Sequence, residues 1–190
     1  MRARLLVALL VGVNAFLACG CGSQLYRNTI KATFKGNLDV RWYKNDLFVF
    51  IPDTSNPLTF TNDATGDSII PGKMYTDGGP IPRFLWGIEG YSPWGYAPAY
   101  IIHDWLFEAH HCGYEPDNKY TFVDSANILA QGLKAIMEDD LRIKNFFVFD
   151  SVYLAVKTPI AKRLWEQGEC KPPLADEREI GDLIMRIHFE

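Results

Sequence analysis

Residues 99–107 read Ala-Tyr-Ile-Ile-His-Asp-Trp-Leu-Phe, so two ionisable side chains, His103 and Asp104, interrupt an otherwise apolar run. Isolated ionisable groups are costly to bury, and their partners are therefore informative. An antiparallel helix carrying Asp124 could supply a carboxylate to His103, fixing its tautomer and raising its basicity so that the other ring nitrogen takes a proton from water. Asp77 or Asp104, with carbonyls of the Gly78-Gly79 loop, could hold an oxygen-preferring cation such as Ca2+. Successive helix residues diverge by about 100°, which predicts different neighbours for His103 and Asp104. Zinc bound by several histidines is disfavoured, because His103 and His110 would stand about 10.5 Å apart along a helix axis. His110-His111 is expected to be a solvated helix end and His188 a tail residue. The alternative without chemistry is a structural network, in which Asp104 accepts from the turn near Asp77 and His103 bonds the next helix. Both alternatives are open from the sequence.

The N-terminus has the layout of an export signal: basic Arg2 and Arg4, an apolar stretch over residues 5–18, then Ala18-Cys19-Gly20-Cys21. Fourteen residues fall short of the ~20 a spanning helix needs, although extension through Cys21 would make a short anchor. A cysteine directly after such a run predicts a bacterial lipoprotein acylated at Cys19 or Cys21. Cleavage after Gly20 to give a soluble secreted chain is the alternative. The boundaries expected are a signal over residues 1–21 and one domain over residues 22–190. Loss of Arg2 and Arg4 leaves 17 basic against 23 acidic residues, net −6, so the mature chain as a whole should be repelled by anionic headgroups. Such a balance also argues against nucleic acid as a partner. Only Cys112 and Cys170 remain in the body, and in an oxidising envelope compartment they are expected to form a disulfide.

Hydrophobic periodicity divides the body in two. Leu38, Val40 and Trp42 alternate with polar residues, Lys44-Asn45-Asp46 makes a turn, and residues 47–51 are apolar, which predicts a hairpin with one buried face. Residues 52–66 read as a loop or irregular strand pair, and Ile69-Ile70 as a short strand before the Pro71-Gly72 turn. From Pro98 the spacing becomes helical, with Gly113 as a stop. Further helices are predicted over residues 121–137 and 141–157, and Thr158-Pro159 opens a short segment to Trp165. Ile180, Leu183, Ile184 and Ile187 predict an amphipathic tail helix. Strands before helices give an α+β fold: a small antiparallel sheet packed against about three helices plus the tail. Residues 86–96 concentrate Trp86, Tyr91, Trp94 and Tyr96. They are read either as a lid or platform for sugars or acyl chains, with Trp94 as a binding residue, or as a core-packing loop.

Several of these segments resemble one family, domain of unknown function 1353, common in tailed phages, prophages and bacterial genomes. Its P-x-G-F-x-T-D-G-A-S-I-P-R pattern is matched by Pro71, Gly72, Thr76, Asp77, Gly78, Ile81, Pro82 and Arg83. Its H-D-W-L-Y is matched by His103, Asp104, Trp105 and Leu106, its helical aspartate by Asp124, and its Y-L-A-V-R by residues 153–157. Gly79-Pro80 stands where the family has Ala-Ser, which removes a serine nucleophile or ligand, and Phe107 replaces a tyrosine. The resemblance spans residues 69–157 and implies an architecture and a site location rather than a reaction. The layout is also similar to that of secreted phospholipases A2, whose His-Asp helix pairs with an aspartate on an antiparallel helix below a Gly-rich calcium loop. Those enzymes, however, depend on many disulfides.

Two functions follow as expectations: an envelope hydrolase acting on lipid or cell-wall material through His103 and Asp124, with Asp77, Gly78 and Asp104 as binding or cation-holding residues, or a non-catalytic, membrane-anchored binding lipoprotein.

Overall fold

The computed structural model describes residues 24–43, 48–76, 91–92, 94–115, 119–171 and 180–190. The segment expected to be an export signal, with Cys19 and Cys21, the turn expected at residues 44–46, Asp77, Gly78 and Trp86 lie outside the described residues.

Strand β1 (Ala32–Trp42) is the spine of the sheet. Its side chains at Ala32, Phe34, Leu38 and Val40 are buried, the two-residue period that a strand with one core face requires. β2 (Phe48–Phe50), β3 (Thr59–Asn62), β4 (Ser68–Ile69) and β5 (Met74–Thr76) join it antiparallel in the order β4-β3-β1-β2-β5. β1 leaves β3 after Lys35 and takes up another partner from Gly36 onward. Gly36 sits there at φ 89°, and a Cβ would lie 2.1 Å from the Pro57 carbonyl oxygen, so only glycine permits the change of partner.

That second partner corrects the reading of the tail. Instead of an amphipathic helix, the chain ends in β6 (Leu183–Phe189), antiparallel to β1. Short apolar runs fit both periods: Leu183, Ile184 and Ile187 match a helix, while Met185, Ile187 and Phe189 match a strand. The open edge of β1 decides between them. Asp39 stands opposite Arg186 and receives both guanidinium bonds, Nε donating to Oδ1 at 2.7 Å and Nη2 to Oδ2. Asp39 is buried, and this fork satisfies it where water cannot. His188, on the same strand, bonds Asn37 through Nδ1 at 2.7 Å rather than lying loose.

The helical half holds α1 (Ala97–Cys112), α2 (Phe122–Asp139), α3 (Phe146–Ala155) and α4 (Pro159–Gln167). Pro98 lies in the first turn of α1, and Gly113 ends it in the left-handed region at φ 67°. The helix expected over residues 141–157 is interrupted: a 3-10 turn covers Leu141–Ile143, and Asn145 caps α3 by accepting from the amides of Phe147 and Val148. Thr158 caps α4 as its sequence predicts.

α2 is buried round most of its circumference, touching β1, α1 and α3. At its crossing with α1, Gly132 has no room for a side chain: a Cβ would stand 2.9 Å from Ala99 Cβ and 3.2 Å from Phe34 Cζ. This contact sets how closely α1 approaches the sheet. Gly132→Val should therefore lower stability by ~1–3 kcal/mol in urea unfolding. Ala99→Gly in the same chain should recover part of the loss. An additive double variant would show that the contact does not limit the packing.

Candidate functional site

Most of α1 is buried, and four of its six half-buried residues, Asp104, Phe107, Glu108 and His111, fall on one stripe at helical spacing. This stripe floors a cleft of about 640 Å3. The opposite wall comes from α4 through Ile160, Ala161 and Leu164, Ala155 and Val156 close one side, and the end of β5 supplies Tyr75 and Thr76. Gly168, Glu169 and Lys171 border the rest.

His103 and Asp104 both line this cleft, which corrects the expectation that they part. Their Cα–Cβ bonds diverge, but the Asp104 side chain reaches Thr76 at the end of β5 while staying near the imidazole. His103 Nδ1 lies 3.8 Å from Asp104 Oδ1, beyond hydrogen-bond range, while Thr76 Oγ1 donates to Asp104 Oδ2 at 2.9 Å. The hydroxyl thus fixes the carboxylate beside the imidazole. His103 itself is 5% exposed, and among the described residues neither ring nitrogen has a hydrogen-bond partner. An imidazole always carries at least one donor, and a neutral one an acceptor as well. Leaving such a group unpaired in the interior costs about 1–3 kcal/mol. Tyr100, one turn earlier, is also buried with an unpartnered hydroxyl. Burial first, then Tyr96 and the Asp104 charge, hold its phenol protonated far above the ordinary range.

Asp124 is not the partner of His103. It is the N3 residue of α2 and closes a capping box with Thr121, whose amide and hydroxyl donate to Asp124 Oδ2 at 2.9 and 2.7 Å. Thr121 three residues before an acid is the sequence signal of that cap. Trp94 does not line the cleft either; its ring packs edge-on against Phe48 at 4.8 Å, in the manner of a core-packing residue.

His110 and His111 are half-buried and partnered, where a solvated helix end was expected. The His110 ring stacks on Trp165 at 4.3 Å and 9°. The Nε2 of His111 lies 3.1 and 3.0 Å from the carbonyl oxygens of Leu164 and Trp165, so its N–H caps the C-terminus of α4. The ring fills the space beside Gly168, where a Cβ would come within 2.0 Å of it. Cys112 and Cys170 are disulfide-bonded, with α-carbons 4.7 Å apart, and close the same end of the cleft. Their sequence separation of 58 makes this link worth about 4 kcal/mol in the chain-entropy account. The wall built by α4 is therefore clamped to α1 by a covalent bond, a helix cap and ring stacking.

Among the described residues, three potential metal ligands meet only where Glu108 adjoins Cys112 and Cys170, within 4.8 Å, and there the sulfurs are bonded to each other. At Asp104 one carboxylate of the expected cation site is in place, and Asp77 lies outside the described residues. Sequence reasoning missed Glu108, His111, Lys171 and the apolar wall. The spacing of positions 104, 107, 108 and 111 was the available signal for the first two.

The resemblance segments also meet in space. Gly72 admits the Trp105 ring, with a Cβ position 2.6 Å from Cη2, and Thr76 bonds Asp104. Tyr153 donates to Asn127 Oδ1 at 3.0 Å, and Ala155 and Val156 line the cleft. In comparisons with known proteins, no family model, curated protein or solved structure matches the chain.

Burial raises the Glu108 carboxyl above the usual range, opposed by a backbone hydrogen bond and the charge of Lys171, and by His111. A raised carboxyl binds its proton more tightly in the folded state. Its stabilising effect is full below the ordinary value near 4.3 and is lost as pH rises through the folded value. Glu108→Gln should accordingly melt above the wild type at pH 8, and the advantage should vanish near pH 4. A variant that melts lower at pH 8 would show that Lys171 holds the carboxylate charged.

Proposed function

We propose that this chain is a cell-envelope protein, related to the phage-associated family it resembles, exported and held to the membrane by lipid at Cys19 or Cys21. In its cleft it hydrolyses an acylated amphiphile of lipid or cell-wall origin. The observation that carries this reading is His103: buried, lining the cleft, and with both ring nitrogens free of partners among the described residues. Water in the cleft gives a proton to one ring nitrogen as its oxygen attacks the substrate carbonyl carbon. The same proton then goes to the leaving oxygen as the carbon–oxygen bond breaks, releasing acid and alcohol. Asp104, fixed by Thr76, stabilises the imidazolium formed on the way. Phe107, Val156, Ile160 and Leu164 offer an apolar wall for an acyl chain.

One distance favours a second reading, a non-catalytic binding lipoprotein. At 3.8 Å, Asp104 does not yet bond His103, although catalytic pairs often tighten only around substrate.

Replacing His103 by leucine separates these readings from a structural role. Removing an unpaired buried polar group is nearly neutral or stabilising, so His103→Leu should melt at or above the wild-type temperature. Hydrolysis of short and long p-nitrophenyl esters and of phospholipid should fall by ~10²–10⁴-fold. Asp124→Ala, which breaks the α2 cap, should lose ~0.5–2 kcal/mol of stability and keep its activity. Undiminished hydrolysis in His103→Leu would reject catalysis at this site, and a stability loss of ~1–3 kcal/mol would make the histidine structural.

A further inference from the structure

Helices α3 and α4 turn apolar side chains to solvent: Phe147 is 75% exposed, Leu154 64%, Ile160 75% and Leu164 60%. On α3 the core takes Val148, Phe149 and Val152, and Phe147 and Leu154, seven residues apart, lie almost in line on the opposite side. On α4 only Trp165 is buried, while Ile160 and Leu164 form a stripe one turn long. Scattered exposed apolar residues need no explanation, but four large ones on two consecutive helices are a concentration that calls for one.

Two observations say what covers it. The first is charge. Residues 141–171 carry six basic side chains, Arg142, Lys144, Lys157, Lys162, Arg163 and Lys171, against Asp150, Glu166 and Glu169, a local net of +3 in a mature chain of net −6. Lys162 pairs with Glu166 at 3.5 Å and Arg142 with Asp140, just outside this stretch, which still leaves the helical hairpin the basic region of an acidic protein. The whole-chain charge would repel anionic lipid, whereas this face would attract it.

The second is the exit of the chain. The first described residues, 24–28, form a helical turn whose Tyr26 packs its ring on Phe146 and Phe149 at 4.9 and 5.1 Å, with Lys144 Nζ 4.9 Å above it. Cys21 is five residues before Tyr26 and Cys19 seven, so even fully extended an acyl group on either starts within ~18–25 Å of this ring. An anchor on either cysteine would therefore join the fold within this distance of the first turn of α3.

We infer that α3 and α4 lie on the anionic membrane surface, with Phe147, Leu154, Ile160 and Leu164 dipping into the headgroup region and Lys144, Lys157, Lys162 and Arg163 on the phosphates. Ile160 and Leu164 also border the cleft, so this orientation opens the cleft onto the bilayer. The inference rests on the anchoring reading and not on catalysis.

The test uses the mature, anchored chain in vesicles of two parts phosphatidylcholine to one part phosphatidylglycerol. A benzophenone amino acid replaces Phe147, Leu154 or, as the control in the turn after β3, Ala64. Illumination at positions 147 and 154 should give about tenfold more phospholipid adduct by mass spectrometry than at 64, and Lys157→Glu with Arg163→Glu should reduce it. Pelleting with vesicles reports anchoring separately. A chain that pellets but gives no lipid adducts at 147 and 154, or adducts to a second copy instead, overturns the orientation alone. A chain that does not pellet overturns the anchor and the orientation together.

Discussion

An imidazole enclosed by protein, with no hydrogen-bond partner among the described residues, is the constraint on which the account of this molecule turns. His103 stands on a helix buried on most sides and borders the cleft, with both ring nitrogens buried. Tertiary packing places it there: α1 is pressed between the sheet and α2, with Gly132 and Ala99 setting the approach. The neighbouring carboxylate is not loose either, because Thr76, at the last position of β5, ties Asp104 to the sheet. The site is therefore a junction of sheet and helix, with Asp104 oriented by the fold and His103 beside it at the border of the cleft.

The far side of the cleft depends on a different set of interactions. α4 buries a single side chain, Trp165, and would be a marginal helix alone. Stacking of His110 and the edge of Phe107 on that indole, the His111 cap on its last carbonyls and the Cys112–Cys170 link hold it against α1. Four contacts from residues 107–112 of α1 thus turn a weak amphipathic helix into a wall. The same arrangement leaves Ile160 and Leu164 directed at the opening, which joins the shape of the cleft to the surface it faces.

Features encoded over a few residues were legible in the sequence. The α+β order, the hairpin of β1 and β2, the Gly113 stop and the Thr158-Pro159 start all rest on local periodicity or backbone preference, and all are present. Features settled at a distance were not. The tail became a strand because β1 offered an edge more than 140 residues away in sequence, with Asp39 waiting for Arg186. Asp124 looked like a partner for His103 because both are polar residues on apolar helices, yet its obligation is to Thr121, three residues back. The His103–Asp104 convergence escaped the 100° rule because that rule describes where side chains start, not where they end. His110 and His111 had no local sign of Trp165, which lies beyond two intervening helices.

A high-resolution crystal structure of the mature chain, with the cleft left open to solvent, tests the central claim most directly. The account predicts an ordered water or a bound amphiphile within hydrogen-bond distance of a His103 ring nitrogen, continuous with the cleft and beside Asp104. A His103 whose two nitrogens both bond protein groups, closed off from the cleft, would contradict it.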